Sequence, residues 1–230
     1  MFGSSRSPDS AIRTEDSLPV AAILAASGGF LDGYTYLGHG HVFANAMTGN
    51  VVILGISAAT AHWSEALAHV YPIAAFLAGV GTAQVFQLSR VQKRIPRAPI
   101  AALAVEILFL GIAGWFAPDL AGTVLVPGIS FVAAVQSSTF KRAGKWSYNS
   151  TMTTGSLRVL AESLFQRFFG KEDESAGDRI RIFGTLCAAF LAGAVAGGLS
   201  TAAFQDHALW IVDVLLSGLW LWLVADSRGR

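Results

Sequence analysis

The sequence predicts an all-α polytopic membrane protein. It is 53% hydrophobic and only 13% charged, and it contains six apolar stretches long enough to cross a bilayer. Soluble domains carry charge on about a quarter of their residues, so 16 Lys and Arg with 15 Asp and Glu are too few for a polar shell. A net charge of +1 disfavours nucleic-acid binding. The lone Cys187 excludes a disulfide scaffold and the usual Cys/His zinc site.

The predicted spans follow from the roughly 20 apolar residues that a helix needs to cross a hydrocarbon core of about 30 Å. Residues 1–17 are polar and are expected to form a disordered cytoplasmic tail, and residues 18–226 a single membrane domain. The six spans are Leu18–Leu37, Leu67–Leu88, Ala98–Phe116, Leu120–Phe140, Ile182–Phe204 and Ala208–Ala225.

The charges of the connections predict the orientation. Lys and Arg occur only in alternate connections, and the opposite connections carry His, Asp and Glu alone. By the positive-inside rule the basic side is cytoplasmic. We therefore expect a multi-pass protein of the bacterial inner membrane with both termini inside. The Lys and Arg residues that follow or connect the spans on this side are Arg90, Lys93, Arg94, Arg97, Lys141, Arg142, Lys145, Lys171, Arg179, Arg181, Arg228 and Arg230.

Two shorter segments, Thr48–Thr60 and Thr151–Phe169, lie between connections that share a face. Each is predicted to be a re-entrant or interfacial helix, because re-entrant backbone is tolerated only where protein or a water-filled cavity surrounds it. The alternative is eight spans, which would place one basic connection on the wrong side.

The two halves of the chain resemble each other. Phe76-Leu77-Ala78-Gly79 recurs as Phe190-Leu191-Ala192-Gly193, and Met47-Thr48-Gly49-Asn50 has a counterpart in Thr153-Thr154-Gly155-Ser156. Each repeat unit crosses the membrane three times, an odd number, so the second copy is inverted. Repeat 1 covers about 18–117 and repeat 2 about 120–226. Inverted repeats with interrupted elements recur in transporters and channels, although a fold alone does not determine function.

The sequence also resembles a known family. The run Gly29-Phe30-Leu31-Asp32-Gly33, then Gly38, Val42-Phe43 and Met47-Thr48-Gly49-Asn50, is similar to the signature of the YoaK-like membrane proteins, domain of unknown function 1275. The second half matches from Gln136 through Lys141-Arg142 to Thr154-Gly155-Ser156-Leu157, and the resemblance covers nearly the whole chain from Leu18. It implies a six-helix bacterial membrane protein and supplies no agreed activity.

Asp32 lies deep in the first span, where an ionised carboxylate costs on the order of 2.5–3.5 kcal/mol and usually faces the bundle interior. It either marks a solute pathway or makes a structural hydrogen bond. Glu106, in the middle of the third span, is either a proton-coupling group or a neutral packing group. The two Thr-Gly elements would open the short helices, whose free N–H groups are capped or bind a solute. The candidate binding residues are Asp32, Asn45, Thr48, Gly49, Asn50, Glu106, Gln136, Thr154, Gly155 and Ser156.

The function expected from these features is a small-solute transporter or channel. The alternatives are a membrane scaffold or sensor and, with no supporting motif, an intramembrane enzyme. No catalytic residue, metal or cofactor is predicted, and the expected partners are the bilayer and an unidentified small solute, not nucleic acid. Gly193, Gly197 and Gly198 form a small-residue face that predicts helix packing or a homodimer.

Overall fold

A computed structural model describes residues 13–93, 97–116, 120, 122–151, 153–170 and 175–228, without the side chains of residues 89 and 90. Most of the predicted tail, residues 1–12, lies outside these ranges. So do four residues used in the charge and topology arguments: Arg94, Asp119, Lys171 and Arg230.

The described chain is helical apart from one short hairpin. Its elements are α1 (Leu18–Gly38), α2 (Met47–Ala59), α3 (Trp63–Phe86), α4 (Ser89–Gln92), α5 (Ala98–Phe116), α6 (Gly122–Thr139), β1 (Arg142–Ala143), β2 (Trp146–Ser147), α7 (Thr153–Phe169), α8 (Ala176–Phe204) and α9 (Leu209–Arg228). Single 3-10 turns at Thr14–Asp16 and Gln205–Ala208 precede α1 and α9. Each of the six predicted spans coincides with a helix, and so does each of the two short segments.

Four stretches of the described chain are long and apolar enough to cross a membrane: Trp63–Phe86, Ala98–Phe116, Gly122–Thr139 and the 53-residue Ala176–Arg228, which contains both α8 and α9. The prediction of six spans is therefore confirmed in part. The 21 residues of α1 reach about 31 Å, but Asp32 and two tyrosines make α1 more polar. Leu108, Leu199 and Val214 are each more than 60% exposed on the outside of the bundle. Apolar surface of this kind marks a membrane or protein contact.

Both termini of the described chain lie at one end of the bundle, which we call the basic end. Thr14 Oγ1 donates a 2.7 Å hydrogen bond to Asp226 Oδ2. Arg97, before α5, donates from Nη2 to the carbonyl of Ser227 at 3.2 Å. The hairpin joins the same end, because the N–H of Gly144 donates to the carbonyl of Asp16 at 2.6 Å.

The other end, which we call the histidine end, joins the C-terminus of α1 to the α8–α9 connection. His39 Nε2 lies 3.4 Å from Asp206 Oδ1, and the hydroxyl of Tyr34 donates to the same oxygen at 3.4 Å. A Cβ placed on Gly122 would lie 3.5 Å from Cβ of His39, so α6 begins here as well. The bundle thus has two chemically distinct ends, and α1 connects them.

The helices pack in a defined set of pairs. The most extensive contacts join α1 to α8 and α3 to α6; α2 packs on α3, α7 on α8, α5 on α6 and α9, and α9 on α1. Glycine permits the closest approach: a Cβ on Gly193 would overlap the backbone of Ala26, and one on Gly79 the backbone of Phe131. Two positions of the small-residue face of α8, Gly193 and Gly197, thus pack against α1 of the same chain.

Two local features differ from the expected pattern. The connection after α6 contains the hairpin β1–β2, with Arg142 opposite Ser147 and Gly144 at φ +62° in its turn. In addition, α8 begins six residues before the predicted span. Its first turns are polar and are tied to α7, because Arg179 donates to Ser163 Oγ at 3.0 Å and to Gln166 Oε1 at 2.7 Å.

Candidate functional site

Asp32 holds the segment that leads into α2. Its Oδ1 accepts the backbone N–H groups of Asn45 at 2.7 Å and Ala46 at 3.3 Å. Thr35, one turn further along α1, accepts the N–H of Ala44 at 3.1 Å. The N-cap residue of α2, Ala46, makes no side-chain cap bond of its own. The carboxylate of Asp32 therefore binds the two residues that immediately precede α2 and not the N–H groups of the helix itself.

Asn45 closes the same contact from the opposite direction. Its Nδ2 donates to the carbonyl oxygen of Gly28 at 3.1 Å. Asp32 is 4% exposed and Asn45 2%. Asp32 Oδ2 and Asn45 Oδ1 are buried and have no hydrogen-bond partner among the described residues. Both are acceptors, and buried polar atoms normally have partners, so this pair has unused capacity for hydrogen-bond donors.

The second half of the chain reaches the same part of α1. A Cβ placed on Gly28 would lie 3.3 Å from the carbonyl oxygen of Ser150 and 3.7 Å from Cγ2 of Thr151. The hydroxyl of Ser150 donates to Gln136 Oε1 on α6 at 3.4 Å. The segments before α2 and α7 thus both contact α1 at Gly28. We call Gly28, Asp32, Asn45, Gln136 and Ser150 the Gly28 cluster.

Asn50 fixes the loop that borders the Gly28 cluster. Its Nδ2 donates to the carbonyl of Phe43 at 2.7 Å, and its Oδ1 accepts the N–H of Phe43 at 3.0 Å. His69 Nδ1 on α3 lies 3.2 Å from the same Oδ1. The amide of Asn50 is therefore occupied within the protein, and it fastens the loop before α2 to α3.

The Thr-Gly elements themselves do not point into the cluster. Thr48 and Thr154 are exposed, and Gly155 is exposed beside Thr154. Gly49 packs on the ring of Phe43. Ser156, by contrast, is buried at 6% exposure, as Asn50 is at the matching position of the first half. The segments that contact α1 at Asp32 and Gly28 precede these elements, and they are Asn45–Ala46 and Ser150–Thr151.

Glu106 belongs to a separate site between α5 and α9. It is 1% exposed, and its charged neighbour is Asp213, which is 8% exposed. Glu106 Oε2 and Asp213 Oδ1 have no hydrogen-bond partner within the described part of the chain. Burying carboxylates without partners is costly, so this acidic pair is a second polar feature of the interior. The structure does not bring it to the Gly28 cluster.

Two groups outside the helices have shifted pKa values. Burial lowers the pKa of the His39 imidazole, and the negative charge of Asp206 opposes this shift. Burial raises the pKa of the Tyr148 phenol, and the charge of Asp16 adds to the effect. Both groups are therefore neutral near pH 7, and each lies against an end of the bundle.

Three residues of the site were missed by the sequence analysis. Thr35 carries a detectable signal, because it follows Asp32 by three residues and so shares its helix face. His69 is a lone histidine in an apolar helix, a pattern that does not identify its partner. Ser150 lies in a polar loop whose contact with α1 depends on the tertiary packing of α7 and α8.

The fold and the buried polar cluster define a multi-pass helical membrane protein. The family model described as "Protein of unknown function (DUF1275)" matches residues 20–222, and the chain belongs to that family. It is similar to the UPF0700 transmembrane protein YoaK of Bacillus subtilis (strain 168), with 26% identity over 202 residues, covering 86% of this chain and 90% of the relative. No solved structure matches the chain.

Proposed function

We propose that the protein is a small-solute transporter or channel of the bacterial inner membrane, with its solute site at the Gly28 cluster. The observation that carries this proposal is the pair of buried acceptors, Asp32 Oδ2 and Asn45 Oδ1, which lack partners among the described residues. An intramembrane carboxylate is costly and usually marks a substrate or ion pathway. The proposal includes no enzymatic step.

The proposed architecture is six crossings in two inverted repeats. The helix pairs support it. If α1 is exchanged with α6, α2 with α7, α3 with α8 and α5 with α9, each packed pair of helices named above becomes another packed pair or stays the same. The ends support it as well: α1 runs from the basic end to the histidine end, and α6 starts at the histidine end. Transporters with this symmetry place substrate sites at the repeat interface, where the Gly28 cluster lies.

The proposed orientation has the basic end in the cytoplasm. Thr14, Asp226, Arg97 and Ser227 meet there, which places both described termini on one side, as an even number of crossings requires. The excess of Lys and Arg at this end follows the positive-inside rule. In this arrangement α7 lies near the cytoplasmic interface, where its exposed Arg158–Glu162 pair remains hydrated.

The chemistry of the cluster favours a solute that donates hydrogen bonds or carries positive charge. Helix N-termini alone would favour anions. At the Gly28 cluster, however, the N–H groups of Asn45 and Ala46 already bind Asp32, and the unused atoms are acceptors. The nearby space lined by Ser150 and Ser156 does not admit a water molecule. The proposal takes this form as a closed state, from which transport would require the two halves to separate at α1.

The test is flux into proteoliposomes with probes of different chemistry. Methylammonium, guanidinium and urea donate hydrogen bonds; nitrate and acetate only accept them. We expect at least one of the donors to enter faster than into protein-free vesicles, and the two anions to enter at the background rate. Background rates for every donor, in vesicles that contain folded and inserted protein, would contradict the proposal.

A non-transporting scaffold is the second candidate, and one observation favours it. The α1–α8 contact is as close as glycine allows, since Cβ atoms at Gly29, Gly33, Gly193 and Gly197 would all overlap the facing backbone. Such close packing resists separation of the helices. In the flux experiment, a scaffold gives background rates with every probe.

A further inference from the structure

A cavity of about 910 Å³ opens at the basic end, between the start of α1, the hairpin and the first turns of α8. Two of the cations that line it, Lys145 and Arg181, share the carboxylate of Asp178, and a third, Arg142, lies on the same wall. Lys145 Nζ lies 3.9 Å from Asp178 Oδ2, and Arg181 Nη2 lies 3.7 Å from Asp178 Oδ1. The guanidinium of Arg142 makes no ion pair with any described residue. This wall of the cavity therefore carries an excess of two positive charges.

The other polar groups at the edge of the cavity are already paired or are donors. Arg13 lies 2.9 Å from Glu15 and 3.4 Å from Asp16, so this group has a net charge of −1 and leaves an excess of one positive charge at the cavity. The residues Ser17 and Trp146 line the cavity, and their Oγ and Nε1 atoms are buried just behind its surface without a hydrogen-bond partner in the described part of the chain. An indole N–H only donates, and a hydroxyl can donate. Excess cations and unused donors together match an anionic ligand that accepts hydrogen bonds.

The remaining wall is apolar and belongs to the ends of membrane helices. Leu18 and Ile182 line it, together with Trp222 on α9, whose side chain is 43% exposed. Tryptophan at the end of a membrane helix typically lies at the level of the lipid headgroups. The cavity thus combines an anion-binding wall with an apolar wall that faces the membrane.

We propose that this cavity binds the phosphate headgroup of an anionic phospholipid, with an acyl chain lying along Trp222. Arg142, Lys145 and Arg181 contact the phosphate, and Ser17 and Trp146 donate hydrogen bonds to its oxygens. Basic pockets between membrane helices bind anionic headgroups in this way. The proposal assumes that the protein spans a membrane, and it does not depend on transport through the Gly28 cluster.

The test is lipid binding to the full-length protein in detergent, followed by native mass spectrometry and by the melting temperature. The probes are phosphatidylglycerol, zwitterionic phosphatidylethanolamine and inorganic phosphate. We expect phosphatidylglycerol to bind and to raise the melting temperature, and the other two to do neither. The double variant Arg142→Ala/Arg181→Ala should weaken phosphatidylglycerol binding about thirtyfold, since each cation near a membrane surface contributes about a factor of five.

The matched control is Lys93→Ala/Arg158→Ala, which removes the same charge from exposed positions outside the cavity. It should bind phosphatidylglycerol as the wild type does. If the charge variant does not fold, Ser17→Ala/Trp146→Phe keeps every charge, removes both donors, and should weaken binding severalfold. Equal binding of the two phospholipids, displacement of the lipid by equimolar inorganic phosphate, or equal losses in control and cavity variants would each overturn the proposal.

Discussion

Asp32 Oδ1 accepts the backbone N–H of Asn45 at 2.7 Å, and Asn45 Nδ2 returns a hydrogen bond to the carbonyl of Gly28, one turn before Asp32 on the same helix. This reciprocal contact fixes the entry to α2 against the middle of α1. It also explains why a carboxylate is tolerated at a buried position in the middle of α1. One oxygen is used by the fold, and the other remains available inside the bundle.

The reciprocal contact predicts a stability cost for Asn45→Ala. The substitution removes the side-chain hydrogen bond to the Gly28 carbonyl, which still accepts a hydrogen bond within α1, and a net hydrogen bond of this kind contributes about 0.5–1.5 kcal/mol. We expect a lower melting temperature of the purified protein in detergent. Thr60→Ala, which removes an exposed hydroxyl bound to its own helix, is the control and should change little. An unchanged melting temperature for Asn45→Ala would show that the contact does not hold the loop.

The close approach of α1 and α8 predicts opposite effects for two identical substitutions. Gly193→Ala places a methyl group against the backbone of Ala26, and overpacking of this kind costs about 1–3 kcal/mol. Gly218→Ala on α9 meets no atom within 4 Å and should be neutral or stabilise by about 0.4–1 kcal/mol. Thermal denaturation of both variants checks the prediction. Equal melting temperatures would contradict the packing described here.

The histidine end predicts a loss of stability in acid. The folded-state pKa of His39 lies below the unfolded value of 6.5 because the ring is buried. The unfolded state then binds more protons, so stability is lost as the pH falls below about 6.5. Tyr34 and Asp206 are the titratable groups that face the ring. His39→Gln should flatten the dependence of melting temperature on pH between 7 and 5, whereas His207→Gln, at an exposed site nearby, should leave it unchanged.

The two ends predict different labelling from outside the cell. With Cys187 replaced by Ala, a single cysteine at His207 should react with a membrane-impermeant reagent in intact cells. A single cysteine at Lys93 should react only after the membrane is opened. These two residues lie toward the histidine end and the basic end, respectively. Reaction of the Lys93 site from outside would reverse or refute the proposed orientation.

The sequence predicted the helices well because their signal is local. The helix Ala98–Phe116 has the predicted bounds, since nineteen residues with little interruption define a span by composition alone. The start of α8 was placed too late because its first turns are polar, and their helical form depends on Arg179 bonding Ser163 and Gln166 of α7. Hydropathy does not contain that information.

The sequence predicted several residues of the candidate site but not the hydrogen bonds that join them. Asp32, Asn45 and Gln136 belong to it, because a buried polar group in a span needs partners inside the protein. The actual donors to Asp32, however, precede Thr48, and the threonines of the Thr-Gly elements are exposed. A hydrogen bond supplied by a different helix cannot be found from local capping patterns. The same holds for Asn50, whose amide is taken by Phe43 and His69.

The most direct test of the proposed solute site is flux per folded molecule for Asp32→Asn, beside the control Asp226→Asn at the basic end. The side-chain oxygen of asparagine can still accept the N–H groups of Asn45 and Ala46, so the variant should fold and insert. It replaces the free acceptor Oδ2 with a donor and removes the negative charge. We predict that Asp32→Asn abolishes the flux of the transported probe while Asp226→Asn retains it. A lower melting temperature with unchanged flux per folded molecule would show that Asp32 is structural only and would contradict the proposed site.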